Sequence, residues 1–237
     1  MNSKNLSKLS LALTCALALP LLGCFSAKEE AQGNTPDMSR ETFAITCQLE
    51  EPEVALKEVT VDVSKILDVC NEIQAIADYN SQEGITEKKE QISELEALTK
   101  LDPEIASYIT SIEEIGRPAI LINFTGALNN NVDVLEFLGS ICSYVKGYFF
   151  YDFSKTEAFT VIPDDTFYDC DYLYGVKLPS TIQYVGRNVC SDNYFAELTI
   201  PKDVFYLGNG AFSSIRNLKI DPANKFYKIK NGYWTAR

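Results

Sequence analysis

Chemistry in this chain falls to carboxylates and thiols, because none of its 237 residues is histidine. That absence removes the commonest general base, the commonest metal ligand and the side chain that titrates near neutrality. Triads built on Ser-His or Cys-His are excluded. Two close carboxylate pairs exist, Asp164 with Asp165 and Asp169 with Asp171. They are not repeated elsewhere, and they sit in turn-like stretches where Asp also serves to bend the backbone. Of the seven cysteines, none is spaced Cys-x-x-Cys, so zinc and thioredoxin-like chemistry have no basis. Apart from Cys15 and Cys24 there are Cys47, Cys70, Cys142, Cys170 and Cys190, an odd number that cannot pair fully within one chain. Cys47 with Cys70 is the one pairing left open. Cys142 is expected on an inward helix face, and Cys170 and Cys190 as small buried thiols. With no phosphate loop, nucleophile elbow or calcium-loop spacing, the expectation is a protein that is no enzyme and holds no cofactor or metal.

Cys24 is different, because its setting is an address. Lys4 and Lys8 precede an almost wholly apolar run from Leu9 to Leu22, too short for a transmembrane helix, which needs about 20 residues. The run ends Leu21-Leu22-Gly23-Cys24, followed by Phe25-Ser26 and polar residues. This resembles the lipobox of bacterial lipoproteins, in which the cysteine is acylated and becomes the mature N-terminus. The resemblance implies cleavage between Gly23 and Cys24, lipidation of Cys24, and a place on the cell envelope, at the outer membrane or cell surface. A plain cleavable signal peptide with an incidental cysteine is the other reading. Multiple acyl chains on one residue would anchor stably. Residues 24–40 then read as a polar, lipidated tether.

The acidic balance bears on partners. The formal charge is −12, with 46% hydrophobic and 23% charged residues. Nucleic-acid binders carry basic patches to neutralise phosphate, so nucleic acid is an unexpected partner. The charge is uneven: residues 25–117 hold 21 acidic and 8 basic side chains, residues 118–237 hold 12 and 11. The acidic half reads as solvated helix faces, or as a partner-selective surface.

What positions these residues is a repeat. Leu173-Tyr174-Gly175-Val176-Lys177-Leu178-Pro179 returns as Phe195-Ala196-Glu197-Leu198-Thr199-Ile200-Pro201 and again as Ile215-Arg216-Asn217-Leu218-Lys219-Ile220-Asp221, at offsets of 22 and 20 residues. Ile182-Gln183-Tyr184-Val185-Gly186 likewise returns as Val204-Phe205-Tyr206-Leu207-Gly208. A period of this size marks a solenoid, whose coils bury their apolar ladders against each other. Leu173, Val176 and Leu178 and their equivalents, among them Phe195, then point inward. Alternation puts Lys177, Thr199 and Lys219 outward in one row, and Gly175, Glu197 and Asn217 in the next. Tyr184 and Tyr206 should stack, near Tyr172 and Tyr194. Either they offer a binding patch or they shield a thin coil.

Ahead of the repeat, Ala119–Phe124, a helix from about Asn131 to Val145 and Tyr148–Ser154 form a strand–helix–strand unit, residues 118–155, that would open the stack. Residues 41–117 read as a small acidic α+β module. Thr42–Leu49 and Val54–Val63 form a hairpin across Glu50-Glu51-Pro52-Glu53. Three helices follow, capped by Ser64, Thr86 and Asp102. The chain ends at Arg237 with no polar capping helix after the last coil.

Tyr151-Asp152-Phe153-Ser154, Ile162-Pro163-Asp164-Asp165-Thr166-Phe167 through Cys170, Val176-Lys177-Leu178-Pro179 and Gly208-Asn209-Gly210-Ala211-Phe212 together resemble the BspA-like leucine-rich repeats of bacterial surface proteins. The resemblance covers residues 119–232. The middle repeat departs from it, with Val189-Cys190 where Ala-Phe is usual and Asn193 where cysteine is usual. It implies an α/β fold: a short leucine-rich-repeat solenoid (118–237, repeats from 156) with a parallel sheet, behind the acidic module and a lipoprotein signal peptide (1–23). It also implies a protein-binding, adhesive role. Lys177, Thr199, Lys219, Glu197, Tyr184 and Tyr206 are then the candidate contacts, and a host matrix protein or another cell's surface the candidate partner. A structural component of the envelope or periplasm is the alternative.

Overall fold

The computed structural model describes residues 56–112, 118–193, 197–231 and 233–237, all within one compact unit. The described residues open with strand β1 (Leu56–Asp62), then helices α1 (Val63–Ser81), α2 (Glu94–Leu101) and α3 (Pro103–Ile112). Strand β2 (Ala119–Ala127), helix α4 (Val132–Tyr144) and strand β3 (Tyr148–Glu157) follow. The remainder alternates short strands: β4 (Val161–Ile162), β5 (Leu173–Lys177), β6 (Tyr184–Val185), β7 (Glu197–Ile200), β8 (Tyr206–Leu207) and β9 (Asn217–Ile220). It ends on β10 (Tyr227–Lys230) and β11 (Tyr233–Ala236).

One parallel sheet runs β1-β2-β3-β5, and β7-β9 form a second parallel pair. A third sheet, β4-β6-β8, takes a two-residue strand from each coil, with Val161, Tyr184 and Tyr206 in register. Alternation on the large sheet sends Val59 and Val61, Ile120, Ile122 and Phe124, and Phe149, Tyr151 and Phe153 into one core. The helices cover that face: α1 packs on β2 and α4, α2 on α1, α3 and α4, and α3 on β1. Phe124 stacks on Phe153 at 4.6 Å between centroids, and Tyr151 meets Phe124 and Phe167 edge-on.

The strand–helix–strand unit is present as expected, and the second strand of the expected hairpin finds a partner in β2. Thr42–Leu49 lies outside the described residues. β1 pairs parallel with β2, Val59 opposite Ile122, so the acidic stretch supplies a strand of the large sheet. Alternation announces a strand but not its partner; parallel pairing needs a long crossover, and the three helices supply it. The helix starts also shift. Asp62, not Ser64, caps α1, accepting from the Ser64 backbone N–H at 2.9 Å. Ser93, not Thr86, caps α2, accepting from Glu96 N at 3.3 Å. Ser93-Glu94-Leu95-Glu96 is a capping-box sequence, a local signal that places the helix start seven residues beyond Thr86. Asp102 caps α3 as expected, accepting from Glu104 N at 2.8 Å.

Each coil turns through residues at positive φ in alternating positions: Asp165, Phe167 and Asp169, then Asn188, Cys190 and Asp192, then Gly210 and Phe212. Backbone bonds link these turns, among them Asp165 N to Arg187 O, Asn188 N to Asn209 O and Phe212 N to Val189 O. Cys190 therefore occupies the slot that Phe167 and Phe212 fill in the neighbouring coils, a large slot rather than the small one expected. Asn193, equivalent to Cys170 and Ile215, is 3% exposed, and its side-chain nitrogen and oxygen have no hydrogen-bond partner. An unsatisfied buried amide costs roughly 1–3 kcal/mol. Asn193→Val should accordingly raise the thermal midpoint by a few degrees; a lower midpoint would show that the amide is satisfied in solution.

The last coil is closed by the β10–β11 hairpin. Trp234 donates its indole N–H to Ala211 O at 3.2 Å and packs edge-on against Tyr227. The Tyr227 hydroxyl donates to Phe205 O and accepts from Leu207 N at 3.0 Å. The side-chain amide of Asn224 reaches Pro201 O and Val204 O.

Candidate protein-interaction surface

The outward row of the sheets is a polar strip whose members hold one another. Lys177 lies opposite Asp152 in the β3–β5 ladder, and their side chains meet at 3.3 Å. Lys219 lies opposite Thr199, and its ammonium reaches diagonally to Glu197 at 2.6 Å. Asn217 donates to the other Glu197 oxygen at 2.8 Å, so one carboxylate gathers two residues of the next coil. Thr199 is exposed between the two ion pairs. The expected outward placement of Lys177, Thr199 and Lys219 holds. Gly175 does not share it: it lies opposite Phe150 and is buried, because the ladder shifts register at Tyr174. Tyr174 instead packs edge-on against Tyr148, centroids 4.6 Å apart. Exposed ion pairs of this kind contribute roughly 0.2–1 kcal/mol, so the strip is a surface of fixed pattern rather than a source of stability.

Tyr184 and Tyr206 sit on a different sheet from that strip, β4-β6-β8. Their rings are coplanar within 4° with centroids 4.4 Å apart. Desolvation first, then the neighbouring Tyr206, lifts the Tyr184 hydroxyl above its ordinary 10.0. Stacked this closely, the rings cover each other's faces and offer their edges to solvent. Tyr172 is packed against the core, while Tyr194 and Phe195 lie outside the described residues.

The paired aspartates are braces. Asp164 accepts from the Arg187 backbone N–H at 2.8 Å and from its guanidinium at 2.9 Å, one coil further on. These bonds, the backbone one first, hold the Asp164 carboxyl below its ordinary 3.8, which suits a fixed anion and not a general acid. Asp165 accepts from Asn188 at 2.9 Å, and Asp169 N donates to Ser191 O. Among the described residues no cluster of three or more metal-ligating side chains occurs.

The thiols are inert by environment. Cys142, Cys170 and Cys190 are buried free thiols, and Cys70 is a half-buried free thiol 3.8 Å from Asp133 O. Cys47 and the lipidation candidate Cys24, with Gly23, lie outside the described residues. Burial pushes the Cys70 and Cys170 thiols up to about 11, and Cys142 and Cys190 well above 9.0. Cys142 donates to the Tyr151 hydroxyl at 2.8 Å, which in turn donates to Leu138 O at 3.0 Å, and burial lifts Tyr151 well above 10.0. The sign follows directly. These acids keep their protons in the fold and release them more readily once unfolded, so stability is intact below the unfolded values and falls as pH rises through them. Thermal midpoints should decline steadily from about pH 8 upward, beginning at the ordinary thiol value. A flat profile to pH 11 would show these groups to be solvated.

Shallow depressions at Ser93, Leu95 and Thr99 on α2, and at Lys57, Glu104 and Tyr108 beside α3, are open to solvent and enclose no ligand-sized cavity. The described helices include none long and apolar enough to cross a membrane.

Residues 138–234 match the family model described as the BspA type leucine rich repeat region, in six copies. The match begins inside α4, ahead of the expected first repeat at residue 156, and runs to Trp234 in β11. No curated protein and no solved structure matches the chain.

Proposed function

Since the chain carries a BspA-type leucine-rich-repeat region, we propose that it is a lipid-anchored protein of the bacterial cell envelope whose repeats bind another protein in surface adhesion. Repeats of this kind serve as protein-binding scaffolds, and that coarse role comes with the family. The observation that supports the finer reading is the outward strip Asp152–Lys177–Thr199–Glu197–Lys219. Its charges are already held in place by neighbours, so a partner meets a pattern that needs no ordering on contact. Thr199, at its centre, has a short side chain and leaves room for an incoming side chain. In this reading Cys24 carries the lipid after cleavage behind Gly23, and residues 24–40 hold the repeats off the membrane. The partner is a host matrix protein or a protein on another cell.

Three measurements test it. The full chain should take up radioactive palmitate and lose the label in Cys24→Ala. Protease added to intact cells should remove the repeats; protection would place them inward and favour an envelope-assembly role. Thr199→Arg should cut binding to immobilised matrix proteins by about tenfold or more while leaving the thermal midpoint unchanged. Equal binding by wild type and variant would remove the strip from the contact.

A further inference from the structure

A second surface lies at the far end of the repeats, and its chemistry differs from the strip. Phe205, Tyr206 and Phe226 are 51%, 40% and 48% exposed, with the Phe205 and Phe226 rings 6.3 Å apart. The chain end adjoins them, since Arg237 N donates to Phe226 O at 2.8 Å. Lys225, Lys228 and Lys230 are exposed beside this patch and along the hairpin, and none of them makes an ion pair among the described residues. Residues 200–237 hold seven basic and two acidic side chains. One of those two acids, Asp203, is already engaged by Lys202 at 2.6 Å. An exposed aromatic centre with a cationic rim is the composition of a docking site for an acidic surface carrying an apolar knob.

The same chain carries such a surface. Glu83, Glu87, Glu90, Glu94 and Glu96 lie on α2 and the segment before it, and none is ion-paired among the described residues. Leu95 projects among them at 39% exposure, beside the open depression lined by Ser93 and Thr99. Lys89 is drawn onto the Tyr79 ring at 4.3 Å from its centroid, while Lys88 beside Glu87 stays exposed among the five carboxylates. From this complementarity we infer that the protein associates with copies of itself head to tail, the Phe205–Phe226 patch and its lysines of one copy seated on the Glu90–Glu96 face of the next. The two surfaces are different, so the contact is heterologous and leaves each copy with one free end, giving chains or rings rather than a closed two-fold dimer. The contact is independent of the lipid and of any adhesive partner.

Sedimentation velocity of the full chain in detergent tests it. Average mass should rise with concentration up to about 100 µM and fall back toward the protomer when NaCl is raised from about 0.05 to about 0.5 M. The variant Lys225→Glu/Lys228→Glu/Lys230→Glu should weaken association by about a hundredfold, and so should Glu90→Lys/Glu94→Lys/Glu96→Lys. Mixed together, the two variants should associate again, because each reversed surface then meets its opposite. Circular dichroism of each variant keeps misfolding distinguishable from lost contact. A wild-type chain that stays protomeric across the range, a lysine variant that associates like wild type, or folded variants that fail to associate when mixed would each overturn the inference. So would binding of the aromatic patch to anionic vesicles without any self-association.

Discussion

Gly208→Ala should lower the thermal midpoint of this protein by about 10 °C, for a reason visible only in the stacked coils. A Cβ built on Gly208 would stand 2.5 Å from Arg187 N and from Gly186 C, both backbone atoms of the preceding coil. Gly186 repeats the arrangement one coil earlier, with Asp164 N at 2.4 Å and Pro163 C at 2.5 Å. No rotamer can relieve such contacts; the coils would have to separate. Separation stretches the bonds that join them, Gly186 N to Ile162 O and Gly208 N to Val185 O, both 2.8 Å. Overpacking of this kind costs about 3 kcal/mol, and for a chain of this size each kcal/mol moves the midpoint by roughly 2–4 °C. Gly84→Ala is the control. Its Cβ would meet nothing within 4 Å, so only its φ of +84° opposes the change, at about 1–2 kcal/mol. A Gly208→Ala midpoint within about 2 °C of wild type would mean that the coils stack less closely than 2.5 Å requires.

The second large effect concerns the acidic N-terminal part. A chain beginning at residue 118 should fail to fold, although its repeats would be whole. Removing residues 56–112 strips β1 from β2 and takes ten buried apolar side chains out of the core, from Val59 to Ile109. The retained side chains that lose the helices covering them, Ile120, Ile122 and Phe124 among them, would each cost about 1.5–3 kcal/mol on meeting water, together a large share of the roughly 5–15 kcal/mol of net stability typical of a folded protein. The truncated chain should show no cooperative thermal transition and should bind a hydrophobic dye. A cooperative melt within a few degrees of the full chain would restore the expected boundary between residues 117 and 118.

That boundary marks where the sequence stops being informative. The coils were legible because a solenoid writes its contacts at a fixed offset: Tyr184 and Tyr206 recur 22 residues apart and meet face to face. The cap at Asp102 was legible because a capping oxygen acts within three residues. β1 was visible as a strand, but its pairing with β2 spans about sixty residues and leaves no local mark. Of the candidate surface, the outward row followed from alternation. The burial of Gly175 did not, since the register shift at Tyr174 is made by the neighbouring strand.

By itself the sequence determined the repeat, the inward ladder, the lack of imidazole chemistry and the uneven charge, all of which depend on residue type and near spacing. Tertiary structure alone decided that the acidic helices share one core with the repeats, and that the buried side chain of Asn193 is left without a hydrogen-bond partner. It also decided that Asp164 braces Arg187, and that Trp234 and Tyr227 close the final coil. Each of those depends on which backbone lies against which, a relation fixed by pairing register and packing between segments far apart in the chain.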